Sequence, residues 1–97
     1  MASPIVVGVS AIVAVPVKRK RALVRFQNVG ATTLYVKKLP LEGAFSVVSP
    51  TDFEVILLPA TGTAEGGDAF ETNSIASFMA VSSAAAGSLA IYETVKV

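Results

Sequence analysis

Apolar and polar residues alternate along most of the chain in short runs, which is the pattern of half-buried β-strands. In RALVRFQN, residues 21–28, Val24 and Phe26 fall on one face, and Arg25 falls on the other. Asn and Gly follow as a turn signal, and TTLYVKK then alternates in the same way. We therefore predict a β-hairpin over residues 21–38.

Further strands are predicted where similar runs are separated by Gly, Pro, Ser and Asn. They cover residues 5–15, 44–48, 52–59, 69–73, 74–83 and 88–97. Strands at this spacing, without a helical apolar stripe, predict an all-β fold: a small antiparallel β-sandwich or jelly-roll-like barrel of about seven or eight short strands. Residues 18–97 form this single domain, and residues 1–17 precede it as an extended N-terminal arm or first strand.

The N-terminal segment MASPIVVGVSAIVAVPV is apolar, but its basic residues follow the apolar run instead of preceding it, unlike a signal peptide. The run is also too short to span a bilayer, so no membrane association is expected. We interpret the segment as a β-arm that adds a strand to a neighbouring chain. The predicted contacts of this arm are Pro4, Ile5, Val6, Val7, Val9, Ile12 and Val13.

The chain contains no Cys, His or Trp. Disulfides are excluded, and the usual nucleophile–base pairs and transition-metal ligands are missing. The acidic residues Glu65, Asp68 and Glu71 lack the spacing of a calcium loop, and we interpret them as a solvated loop. We expect no enzyme activity, no catalytic residue, no metal site and no cofactor.

Composition and charge favour assembly over a monomer. The chain is 53% hydrophobic and only 15% charged, and a small domain has little interior in which to bury so many apolar side chains. Residues 1–48 contain seven basic residues and one acidic residue, whereas residues 49–97 contain one basic and six acidic residues. Such asymmetry fits pairing between subunits or between strands of one subunit.

The basic run Lys18, Arg19, Lys20 and Arg21 has three interpretations: a solvated linker, a contact with an acidic protein surface, or a phosphate contact. Aromatic residues that would stack on bases are not interleaved with it, and the net charge is only +1. Contact with protein is therefore favoured over nucleic acid, and a nucleic-acid partner is not expected.

Four segments carry a resemblance to a known group of proteins: RALVRFQNVGATTLYV, FEVILLPATGTAEGGDAFE, SFMAVSS and GSLAIYE. Over residues 19–94 the chain resembles the small β-sandwich virion proteins of tailed bacteriophages, most of all head decoration (cement) proteins. The resemblance implies a structural virion protein on the outer capsid surface. Such a protein binds the major capsid protein, forms a homotrimer and stabilises the coat lattice.

An alternative role is a tail, fibre or connector component that binds a ligand such as a glycan. A carbohydrate-binding face usually displays Trp or Tyr, and the chain has no Trp and two Tyr residues. The seven aromatic residues occur mostly one per predicted strand, which is typical of core positions. In the decoration interpretation, the basic run lies at the base of the arm and meets acidic groups of the coat protein or of a sister subunit.

Overall fold

The computed structural model describes residues 3–40, 47–59, 67–84 and 86–96, and this part of the chain is built of β-strands without a helix. The strands are β1 Ser3–Val7, β2 Ile12–Val15, β3 Arg21–Asn28, β4 Leu34–Lys38, β5 Val55–Leu57, β6 Ala69–Thr72, β7 Phe78–Ser82 and β8 Gly87–Val95. The predicted all-β class is confirmed. No helix that could cross a membrane occurs within the described ranges.

The strands form four nested antiparallel pairs: β1 with β8, β2 with β7, β3 with β6, and β4 with β5. Folding this ribbon of pairs over on itself brings β3 beside β8 and β4 beside β7. The result is two four-stranded sheets with the orders β1-β8-β3-β6 and β2-β7-β4-β5. This strand order is that of a jelly roll, so the predicted small antiparallel sandwich is confirmed.

The core lies between the sheets and follows the alternation of the sequence. Val24 and Phe26 of β3 and Leu34 and Val36 of β4 are buried, with Phe26 fully enclosed. The Phe26 ring lies 6.4 Å from the ring of Phe70 and 5.2 Å from that of Phe78. The inner rows of both sheets therefore meet in one apolar layer.

The predicted hairpin of β3 and β4 is corrected by the structure, because these strands lie in different sheets. The side chain of Asn28 holds the connection between them: its Nδ2 donates to the carbonyls of Thr32 at 2.7 Å and Leu57 at 2.8 Å, and its Oδ1 accepts from the amide of Gly30 at 3.0 Å. A Cβ at Gly30 would lie 2.8 Å from the amide nitrogen of Ser88, so only glycine allows this close crossing between sheets.

Residues 3–15 form two strands of the sandwich, one in each sheet. β1 pairs with β8 and β2 pairs with β7, and the chain reverses between them. Val7 and Val15 are part of the hydrophobic core. Residues 3–7 and 12–15 are therefore strands of the sandwich, and they share one core with the described residues of the later strands.

The predicted strand at 44–48 falls mostly outside the described residues. Val47 and Val48 are not in a strand, and the next pairing is an isolated bridge between Ser49 and Asp52.

Candidate interaction surface

The sandwich has two open sides, each formed by one edge strand from each sheet. β1 and β2 end their sheets on one side, which we call the β1–β2 edge, and β6 and β5 end them on the other, the β5–β6 edge. Within the described residues each of these strands pairs with one neighbour, which leaves one row of backbone donors and acceptors open to a further strand.

The β1–β2 edge is unusually apolar at its surface. Its exposed fractions are 71% for Val6, 64% for Val9, 53% for Val13 and 43% for Val17. Val6 alternates with buried Val7 and therefore points away from the core, and Val13 points outward from the opposite sheet. The four valines, here called the valine edge, are present on both faces of this side of the sandwich.

The predicted arm contacts divide into two groups. Val6, Val9 and Val13 present their side chains to solvent. Val7 is buried, and Ile5 and Ile12 pack against the core, so these three stabilise the chain's own sandwich. Pro4 lies in β1 opposite Ala90. Val17 was missed by the sequence prediction because it follows a proline outside the alternating run.

The basic run is also divided by the fold. Lys18, Arg19 and Lys20 are exposed and form the connection from β2 to β3, here called the basic turn. Backbone hydrogen bonds fix the turn at both ends: the amide of Lys18 donates to the carbonyl of Ile75 at 2.9 Å, and that of Lys96 donates to the carbonyl of Lys20 at 2.7 Å. The ammonium of Lys18 lies 4.0 Å from the carboxylate of Glu93.

Arg21 is buried, with 1% of its surface exposed, and does not present its charge to a partner. Its Nε donates to Oε2 of Glu93 at 2.7 Å, and its terminal nitrogens donate to the carbonyls of Pro16 at 2.8 Å, Ser74 at 2.9 Å and Ala76 at 2.8 Å. These bonds compensate the cost of burying the charge. The prediction that grouped Arg21 with the exposed contacts is corrected: Arg21 supports the basic turn from beneath.

Acidic side chains lie along the opposite side of the sandwich. Glu54, Asp68 and Glu71, here called the acidic edge, are exposed and flank or belong to β5 and β6. Glu54 accepts a hydrogen bond from the amide of Lys38 at 2.7 Å, and Asp68 accepts one from the amide of Leu58 at 3.2 Å. No ion pair to these three carboxylates occurs among the described residues.

The acidic edge also carries apolar surface. Phe53 is 38%, Ile56 42% and Leu58 50% exposed, and the Phe53 ring packs 5.0 Å from that of Tyr35. Lys37 and Asp52 form an ion pair of 2.8 Å beside them. Glu65, the remaining member of the predicted acidic loop, lies outside the described residues.

A cleft of about 290 Å³ opens between the sheets at the β5–β6 edge. Its lining residues are Val36, Lys38, Glu54, Val55, Phe70, Thr72 and Phe78. The walls are mostly apolar core side chains, and the volume is at the small end of ligand sites. Three of the seven lining side chains are polar, Lys38, Glu54 and Thr72, and two are aromatic, Phe70 and Phe78, so the lining is compatible with the glycan-binding alternative.

Over the described residues, no group of three or more carboxylate, histidine or cysteine side chains is placed to hold a metal ion. Comparison of the chain with family models, with curated proteins and with solved structures finds no match. The valine edge, the basic turn and the acidic edge are therefore the features from which a role is inferred.

Proposed function

We propose that this chain is a structural protein of a bacteriophage particle: a decoration protein that binds the outer surface of the head and stabilises the coat lattice. It contacts a neighbouring protein chain through the β1–β2 edge and the basic turn. The observation that carries the proposal is the valine edge, which consists of four solvent-exposed valines along one side of the sandwich, with Val17 directly before the three exposed cations of the basic turn. Exposed apolar patches of this kind mark protein contacts.

The chemistry of the edge favours a protein over a nucleic acid. Lys18, Arg19 and Lys20 could neutralise phosphates, but a nucleic acid would leave the valines exposed to water. A protein surface with an apolar centre and an acidic rim would complement both the valine edge and the basic turn. An interface typically buries apolar side chains at its centre and keeps charges at its rim.

The expected affinity depends mainly on the valines. Burying an exposed valine completely contributes about 1.5–3 kcal/mol, and part of that sum is lost to the entropy of association. A lysine in place of one valine removes this contribution and adds a charge that must be desolvated. A loss of about 1.4 kcal/mol already corresponds to a tenfold weaker complex.

The test measures binding to undecorated phage heads by co-sedimentation. Val6→Lys and Val13→Lys should each weaken binding at least tenfold. Val47→Lys is the matched control, since Val47 is 54% exposed but lies in the connection between β4 and β5, the two strands farthest from β2 in their sheet. Equal binding of all three variants would contradict the proposed edge, and no binding of the unaltered chain to heads would contradict the decoration role.

Two finer expectations belong to the same proposal. The resemblance implies a homotrimer that contacts the major capsid protein, which light scattering and cross-linking on heads would measure. A tail, fibre or connector component is the alternative within the structural class. Parallel co-sedimentation with purified tails separates the two, because a decoration protein should bind heads only.

A further inference from the structure

We propose that the neighbouring chain on the β1–β2 edge is a second copy of this protein, docked through its β5–β6 edge, so that copies associate head-to-tail in a ring. This inference rests on the proposed function, because it names the partner of the same edge. It requires two different surfaces on each chain, and the two open sides of the sandwich supply them.

Charge is the first match between the two sides. The basic turn presents Lys18, Arg19 and Lys20, and the acidic edge presents Glu54, Asp68 and Glu71. None of the three carboxylates forms an ion pair among the described residues of its own chain, although exposed Arg25 stands opposite Glu71 in the β3–β6 register and exposed Lys38 is next to Glu54. A second copy would bring the three cations of its basic turn to these carboxylates, and the net charge of +1 per chain keeps repulsion between copies small.

Apolar surface is the second match. The valine edge faces outward on one side, and Phe53, Ile56 and Leu58 are 38%, 42% and 50% exposed on the other. Among the described residues, the strands at both sides each pair with one neighbouring strand of their sheet. Contact between them would bury apolar side chains and cover unpaired strand edges at once.

The position of the charges along the strands is the third match. The amides of Lys18 and Leu39 donate at 2.9 Å to the carbonyls of Ile75 and Ser77, two residues of the same β6–β7 connection. The basic turn and the end of β4 therefore lie at the same end of the sandwich. Of the acidic edge, Glu54 is at this end, because its carboxylate accepts from the amide of Lys38, whereas Asp68 lies at the opposite end, where its carbonyl accepts from the amide of Asn28.

This placement determines the symmetry of the contact. A rotation axis parallel to the strands keeps the same ends of neighbouring copies level, so the basic turn of one copy faces Glu54 of the next. Because the two surfaces differ, the contact is heterologous, and it closes into a ring when the angle between the edges allows it. The sandwich is flat, with principal extents of 38, 31 and 17 Å, and this shape suits side-by-side packing.

The experiment exchanges the charges and measures the solution mass of the full chain by light scattering after size exclusion. The turn variant is Arg19→Glu with Lys20→Glu, and the edge variant is Glu54→Lys with Glu71→Lys. Each should weaken association at least tenfold, because like charges then face each other. The chain that carries all four substitutions should associate again, since the complementarity is restored with its sign reversed.

Ala31→Glu with Ser83→Glu is the control, as it adds two charges at exposed positions at the end of the sandwich opposite the basic turn and Glu54, where the amide of Ser83 donates to the carbonyl of Thr33, and it should leave the mass unchanged. Circular dichroism and thermal melting report whether each variant folds. If a double variant does not fold, Val9→Lys gives the second measurement: it should yield a monomer, and an unchanged mass would overturn the inference.

Failure of this inference differs from failure of the proposed function. A monomeric unaltered chain, or a fourfold variant that stays monomeric, overturns the ring. If that chain still binds heads through Val6 and Val13, the coat protein occupies the β1–β2 edge and the decoration role stands. A ring that shows no binding to heads supports the self-contact and contradicts the decoration role.

Discussion

At the scale of single residues, Arg21 differs from the three basic residues before it, because its side chain is buried and theirs are exposed. Its guanidinium donates to four acceptors on three different parts of the chain: the β2–β3 connection, the β6–β7 connection and β8. A planar fork with five donors can satisfy this arrangement, whereas a lysine ammonium cannot reach all four acceptors. Arg21 is thus a structural residue within a run of interaction residues.

Removing the Arg21 side chain should destabilise the fold strongly. Arg21→Ala leaves Glu93 and three carbonyls without their donor, and breaking a buried pair in this way costs about 3–5 kcal/mol. Urea denaturation measures the change in the free energy of unfolding. Arg19→Ala, at an exposed neighbour in the basic turn, should change it by no more than about 0.5 kcal/mol. Similar values for the two variants would contradict this role of Arg21.

Glycine packing provides a second test at this scale. A Cβ at Gly87 would lie 2.7 Å from Cδ2 of Leu34 and 2.8 Å from Oγ1 of Thr32, whereas one at Gly8 would meet no atom within 4 Å. Gly87→Ala should therefore cost about 1–3 kcal/mol of unfolding free energy. Gly8→Ala should be neutral or stabilising by less than about 1 kcal/mol. Thermal denaturation of both variants checks this difference, which a tolerated Gly87→Ala would refute.

At the scale of elements, β1 and β2 have two roles. Their inward side chains, Val7 and Val15, are 0% and 3% exposed and belong to the core, while Val6 and Val13 face outward. An independent arm could be removed without loss of the fold. β1 and β2 cannot be removed in this way, because β1 pairs with the central strand β8 of one sheet and β2 pairs with the central strand β7 of the other.

Deleting residues 2–16 should unfold the sandwich or leave it without fixed packing. The deletion exposes the β8 and β7 edges and removes two core valines, so amide signals in both strands should lose dispersion and hydrogen-exchange protection. Val6→Lys is the control, since it changes one side chain that is 71% exposed and should keep the native spectrum. A native spectrum of the deleted chain would show that these strands are dispensable.

At the scale of the whole molecule, the basic turn and the acidic edge lie on opposite sides of one sandwich, and each side also carries exposed apolar residues. The basic turn follows β2, and the acidic edge flanks β5 and β6. The seven basic residues of the N-terminal half are not all on one surface, because Arg21 is buried and Lys37 pairs with Asp52. Arg25 on β3 and Lys38 on β4 are exposed elsewhere, and the remaining three form the short cationic turn that follows Val17.

Salt should weaken the contact of the β1–β2 edge without abolishing it. Raising ionic strength from about 0.1 M to about 1 M shortens the Debye length from about 10 Å to about 3 Å and screens the charges, whereas valine burial persists. Co-sedimentation with heads across this range should therefore show a partial loss. DNA binding that falls linearly on a logarithmic salt scale, with no retained head binding, would support nucleic-acid contact instead.

The sequence predicted individual strands well and their partners poorly. The alternation of Val24 with Arg25 and of Leu34 with Tyr35 correctly separated inward from outward side chains in β3 and β4. Asn28 and Gly30 correctly indicated a turn, but the turn carries the chain to the other sheet. Alternation and turn residues are local properties, and they contain no information about which of several similar strands becomes the neighbour.

Only part of the candidate surface could be predicted from the sequence, because local patterns do not show which distant strands cover a residue. Val6, Val9, Val13 and the basic turn are exposed as expected, but Val7 and Arg21 are buried because strands distant in sequence cover them. By itself, the sequence determined the fold class, the inward rows of the strands and the absence of Cys and His chemistry. The tertiary structure decided sheet membership, the burial of Arg21 and the separation of the basic turn from the acidic edge, since each depends on contacts between residues far apart in the chain.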